Sequence, residues 1–237
     1  MLNTLGGITF DAYGTLVQLE NPFELLREAL KRRGYGVPLE VVREAFVQEM
    51  IYYRANHMGG RDSVSLNALR SRCASLLFDS LSKRGYRCGL EAYEQGIVLM
   101  ESIRFRPFPE AAYVLSWCHS QGIKTAVISN WDCSLPAIIH GLYPGNNFQA
   151  ILVSAIEGFD KSGPELFIRA SEELDVPAQK ILHVGDDPEH DVASPLKAGC
   201  KAVLIERDGG FAEGLSKEKI RSLTELPDIA NRLFNIP

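Results

Sequence analysis

Short, largely apolar runs bounded by glycine, proline or polar residues recur at Gly7–Phe10, Lys124–Ser129, Ala150–Val153, Ile181–Val184 and Ala202–Ile205. Runs of this length with little polar alternation predict strands buried on both faces, the pattern of a parallel sheet. Helical periodicity appears ahead of and between the last four: Pro109–Gln121, ending at Gly122, precedes Lys124–Ser129, Pro164–Leu174 precedes Ile181–Val184, and Pro188–Ala198, ending at Gly199, precedes Ala202–Ile205. Strands alternating with helices imply right-handed crossovers and a three-layer α/β sheet.

From about Val17 to Phe105 the pattern changes to helical segments with no convincing strand. Asn21-Pro22-Phe23-Glu24 offers an N-cap, a proline at the first helical position and a glutamate at the third; Leu25, Leu26, Ala29 and Leu30 give that helix an apolar stripe and Gly34 closes it. Amphipathic runs follow at Leu39–Asn56, Ser63–Arg84 and Leu90–Arg104. The two prolines of Phe105-Arg106-Pro107-Phe108-Pro109 cannot continue a helix and mark a return linker. The expected organisation is an α/β core of residues 1–16 and 108–237, with residues 17–107 as an inserted helical domain.

Composition narrows the function classes. At 237 residues, 46% hydrophobic and 23% charged, the chain can bury a substantial core. A net charge of −5 argues against nucleic-acid binding as the main task, though not against a small anionic substrate in a locally positive site. The five cysteines are odd in number, widely spaced and form no C-x-x-C pair, so they read as reduced thiols of a cytoplasmic protein. The N-terminal stretch lacks the character of a signal peptide, and no run approaches the ~18 apolar residues of a membrane span.

Four segments carry candidate chemistry. In open α/β sheets, ligands bind beyond the carboxyl ends of the strands. Asp11 follows the first strand in Phe10-Asp11-Ala12-Tyr13-Gly14-Thr15, which offers a fixed oxygen nucleophile and a glycine turn with free N–H groups. Ser129-Asn130 ends the second strand and brings a hydroxyl. Lys161 lies in the connection after the third strand, where it can balance the nucleophile and an incoming anion. After the fourth strand come Gly185-Asp186-Asp187-Pro188-Glu189-His190-Asp191, whose clustered carboxylates suit a hard cation such as Mg²⁺. Each segment alone also has a plain structural reading: a turn residue, a surface lysine, a helix cap at Asp187, a first-turn acid at Asp191.

Together, in this order and these strand contexts, the four segments resemble the haloacid dehalogenase superfamily of hydrolases, and the helical insertion resembles the cap of one large subgroup. The resemblance implies Asp11 as covalent nucleophile, Ser129 as oxyanion ligand, Lys161 as the charge-balancing lysine, and Thr15 and Asn130 as substrate-binding residues. It implies Mg²⁺ held by Asp11, the Tyr13 carbonyl and Asp186, with Asp187 or Asp191 acting directly or through water. The substrate would be a small phosphorylated metabolite.

One position departs from that pattern. Phosphatases of the family usually carry a second aspartate two residues after the nucleophile, where this chain has Tyr13. The string Asp11-Ala12-Tyr13-Gly14-Thr15 is instead that of the haloacid dehalogenases, which work without metal through an aspartyl ester. Against that reading, Gly185-Asp186-Asp187 is of the phosphatase kind. A third reading is a binding protein on the same fold that has lost turnover.

Overall fold

The computed structural model describes residues 4–207 and 218–234. Leu19–Arg106 form one compact unit, and the described residues on either side of that stretch form the other.

The second of these units is an α/β domain. Its sheet strands are β1 (Gly7–Phe10), β4 (Lys124–Ser129), β5 (Ala150–Val153), β6 (Ile181–Gly185), β7 (Lys201–Ile205) and β8 (Lys219–Ile220). Two short strands, β2 (Val17–Leu19) and β3 (Phe105–Pro107), form a separate ribbon where the chain passes from one unit to the other. The six main strands run in the order β5-β4-β1-β6-β7-β8, and every pairing is parallel. Flanking the sheet are α5 (Ala111–Ser120), α6 (Leu135–Leu142), α7 (Ser154–Glu157), α8 (Glu165–Leu174), α9 (Ser194–Lys197) and α10 (Leu226–Phe234). Leu166, Phe167, Ala170 and Leu174 of α8 recur at helical spacing and pack with Ala126, Ile128 and Leu152 of the neighbouring strands.

The helical unit contains α1 (Pro22–Arg32), α2 (Leu39–Asn56), α3 (Ser63–Lys83) and α4 (Ala92–Ser102). They share a core that includes Leu26, Leu30, Phe46, Leu77, Leu81 and Leu99. Asp62 caps α3 by accepting from the N–H groups of Val64 and Ser65.

Three local expectations differ from the structure. Asn21 does not cap α1 with its side chain; it adopts a left-handed backbone (φ 41), which asparagine tolerates, and Pro22 starts the helix. The insertion is not free of strand, because β2 and β3 pair across it. Residues 188–198 do not form one α-helix: a π-turn over Pro188–Ala193 precedes α9. Wide turns of this kind cluster at functional sites, where they redirect a side chain. Among the described residues no helix is long and apolar enough to cross a membrane.

Candidate active site

Register gathers the site. Phe10 is level with Val127 on β4 and with Val184 on β6, so the ends of these three strands bring Asp11, Ser129 and Asp186 to one edge. The Asp11 N–H donates to the Val184 carbonyl at 2.8 Å, which fixes the first residue beyond β1.

Asp11 is buried, and its Oδ1 accepts from Lys161 Nζ at 2.5 Å and from Ser129 Oγ at 3.1 Å. Lys161 is only 3% exposed, far from the solvated state that is the default for lysine. Its ammonium also donates to Asp191 Oδ1 at 2.5 Å, so one cation is shared by two carboxylates. Asn130 Oδ1 accepts the Lys161 backbone N–H at 2.8 Å and holds the lysine's loop against the end of β4. The turn after β4 is tied in its own right to the start of α7, where the Ser154 hydroxyl accepts from the Trp131 N–H at 3.0 Å.

The acidic run after β6 splits into two environments. Asp187 faces the following turn, where Oδ1 accepts the N–H groups of Glu189 at 2.9 Å and His190 at 2.8 Å. The π-turn swings Asp191 back under the strand: it is buried, and its Oδ2 accepts the Asp187 N–H at 3.0 Å. Gly185 makes room for it, since a Cβ there would lie 2.2 Å from Asp191 Cγ. Oxygens of Asp11, Asp186 and Asp191 all lie within 4.8 Å of one another, and Asp187 is not part of that group.

Electrostatics follows from this packing. Burial pushes the Asp11 carboxyl up to about 7; Lys161 opposes the rise, and Asp191 and Asp186 add to it. Asp186 is exposed at the sheet edge, but the protein around it and the charge of Asp191 raise it to about 6. Asp191 goes the other way. Its burial favours the neutral form, yet Lys161 and His183 hold it well below the usual carboxylate range. Lys161 is likewise held charged, against its burial, by Asp11 and Asp191. Three carboxylates around one ammonium leave a surplus of negative charge, and the donor atoms are hard oxygens. That donor set fits a divalent cation such as Mg²⁺.

Tyr13, Thr15 and Asn130 border this cluster. The half-buried Tyr13 ring lies 6.5 Å from the Trp131 ring, tilted by 56°. Thr15 is fully buried, and its hydroxyl has no hydrogen-bond partner among the described residues. The backbone of this turn is gripped by Arg207, which donates from Nε to the Gly14 carbonyl at 2.8 Å and from Nη2 to the Thr15 carbonyl at 2.9 Å. Arg207 also pairs with Glu110 at 2.5 Å and stacks 3.5 Å from the Phe108 ring centre.

Sequence reasoning passed over Arg207, Ser154, Thr9 and His183. The last two carried a signal, because each is a polar residue inside an otherwise apolar buried strand. Arg207 carried none: nothing local distinguishes it from a solvated arginine.

Comparison with known proteins agrees with this fold. Residues 5–199 match the family model described as haloacid dehalogenase-like hydrolase. The chain is 30% identical over 156 residues to haloacid dehalogenase-like hydrolase domain-containing protein 3 of Danio rerio, covering 64% of this chain and 60% of that one. It is 29% identical over 109 residues to a phosphoserine phosphatase of Thermus thermophilus, covering 45% of this chain and 43% of the other. In fold it is similar to the L-2-haloacid dehalogenase from Xanthobacter autotrophicus with chloropropionic acid covalently bound: TM-score 0.67, 17% identity, 96% of this chain and 99% of that chain.

Proposed function

The chain belongs to the haloacid dehalogenase-like hydrolase family, and from that premise we propose that it is a Mg²⁺-dependent phosphatase of a small phosphorylated metabolite, acting through an aspartyl-phosphate on Asp11. One observation carries this reading: Asp11, Asp186 and Asp191 are drawn together within 4.8 Å around the single ammonium of Lys161. Carboxylates held this close together in the protein's low-dielectric surroundings repel one another, and the raised Asp11 and Asp186 carboxyls reflect that cost, which a bound cation would relieve.

In this mechanism an Asp11 carboxylate oxygen attacks phosphorus, the bond from phosphorus to the leaving oxygen breaks, and water later hydrolyses the acyl phosphate to free phosphate and Asp11. Lys161 balances charge on Asp11 and on the phosphoryl oxygens, and the Ser129 hydroxyl donates to one of those oxygens. Thr15 and Asn130 complete the phosphoryl site. Mg²⁺ would be held by Asp11, Asp186 and the Tyr13 carbonyl, with Asp191 fixing the arrangement from below, and it would supply charge neutralisation at the transferring group. Residues 17–107 would be the cap that selects the substrate.

A second reading, metal-independent hydrolysis of a 2-haloacid through an ester on Asp11, is favoured by one feature, Tyr13 in place of a second aspartate. A panel of phosphorylated metabolites and 2-haloacids, each assayed with Mg²⁺ and with EDTA, separates the two. Phosphate release that needs Mg²⁺ and vanishes in Asp11→Asn is expected. Halide release in EDTA would establish the second reading instead.

A further inference from the structure

Thr9 and His183 are register partners on the adjacent parallel strands β1 and β6, so their side chains leave the sheet on the same face. Both are completely buried. Thr9 Oγ1 lies 2.8 Å from His183 Nδ1, and the other ring nitrogen, Nε2, lies 3.0 Å from Asp191 Oδ1. Phe167 of α8 meets the imidazole edge to face, with ring centres 4.9 Å apart, and sets its plane. The partners also select a tautomer. An ionised carboxylate only accepts, so Nε2 carries the proton, and Nδ1 then accepts from the Thr9 hydroxyl. The result is a directed chain, Thr9 to His183 to Asp191, ending on the oxygen that also grips Lys161 Nζ at 2.5 Å.

We propose that His183 is a positioning residue: its Nε2–H, oriented by the Thr9 hydroxyl, fixes Asp191 Oδ1 and through it aims the Lys161 ammonium at Asp11. The inference rests on the reading of Asp11 and Lys161 as the reacting pair. Without that N–H, Asp191 Oδ1 keeps only Lys161 while Oδ2 stays on the Asp187 N–H. The carboxylate then swings about its remaining anchor and carries the ammonium off line. Lys161 is still present, so substrate is still held. The loss falls on the bond-making step, where a misplacement of about 1 Å costs on the order of 10²-fold.

The test uses the whole chain and two readouts. In ¹⁵N-histidine spectra of the metal-free, substrate-free protein, His183 should be the neutral tautomer with its proton on Nε2, and the Lys161 ammonium should give a resolved, slowly exchanging signal. With p-nitrophenyl phosphate and Mg²⁺, His183→Phe keeps ring volume but no donor, and its kcat should fall about 10–100-fold, the usual effect of losing an outer-shell partner, with little change in KM. His183→Gln, which retains an N–H donor, should recover most of that loss and keep the Lys161 signal that His183→Phe loses. Equal losses in the two variants at matched melting temperatures, or a proton on Nδ1 in the wild type, would overturn the proposal. Should His183→Phe not fold, Thr9→Val decides: a kcat drop with unaltered KM supports the chain, and wild-type kcat refutes it. Full activity in Asp11→Asn would sink the proposed reaction instead, while the tautomer and the Lys161 signal still report on the positioning chain.

Discussion

Gly14 and Asp186 approach each other so closely that a Cβ on Gly14 would sit 2.2 Å from Asp186 Oδ2. The glycine also has φ 84, a backbone region that alanine enters only at a cost of roughly 1–2 kcal/mol. Sequence places these residues far apart; the register of β1 against β6 makes them neighbours. The turn after Asp11 and the acid after β6 are thereby built against each other. Gly14→Ala should therefore push Asp186 aside as well as strain the turn. A melting temperature lower by several degrees, together with a weakened response to Mg²⁺, is the expected outcome in a thermal-shift titration. A variant indistinguishable from wild type in both would show that the contact is loose.

The raised Asp11 carboxyl makes stability depend on pH with a definite sign. Burial, reinforced by Asp191 and Asp186, lifts it from the ordinary 3.8 to about 7, so between those values the folded chain holds this proton more tightly than the unfolded one. Stability is then lost as pH rises through that window. Asn cannot ionise and escapes the loss. In EDTA, the stability of Asp11→Asn relative to wild type should increase from pH 4 to about pH 7 and level off above it, read by urea denaturation. A difference that does not vary with pH would mean that ionising Asp11 costs the fold nothing.

Asp186 and Asp187 are adjacent in sequence and should behave differently. Mg²⁺ should stabilise the wild type by mass action, about 2.7 kcal/mol at a hundredfold excess over Kd. That increment should shrink in Asp186→Ala, which removes a carboxylate from the cluster. In Asp187→Ala it should persist, while the baseline drops by roughly 0.5–2 kcal/mol for the lost cap. Reversal of the two results would transfer the metal role to Asp187.

Tyr13 should leave a kinetic signature. With no acid two residues after Asp11, alkyl phosphates, whose leaving oxygen needs a proton, should react slowly, and aryl or acyl phosphates faster. General acid assistance is worth ~10²–10⁴-fold. Tyr13→Asp should therefore raise the rate for a sugar phosphate by more than for p-nitrophenyl phosphate. Equal changes for both substrates would show that this position does not face the leaving group.

Much of this protein was legible before its tertiary structure. Runs of apolar residues bounded by glycine and proline located β1, β4, β5, β6 and β7, because a strand buried on both faces leaves that mark in the chain itself. Asp11, Ser129, Lys161 and Asp186 stood out since each follows a strand, or lies in the connection after one, at the edge where such sheets bind ligands. What the chain could not declare was which partners those strands would meet. Asp187 and Asp191 lie in one acidic run and differ only because the π-turn sends one to cap a turn and the other under the sheet. The register of β1 on β6 alone makes Thr9 and His183 a pair. Arg207 became a clamp on Gly14 and Thr15 only when β7 brought it across the fold. Periodicity and turn chemistry are local and can be read from sequence, whereas a hydrogen bond between residues nearly two hundred positions apart exists only once burial has set the register that joins them.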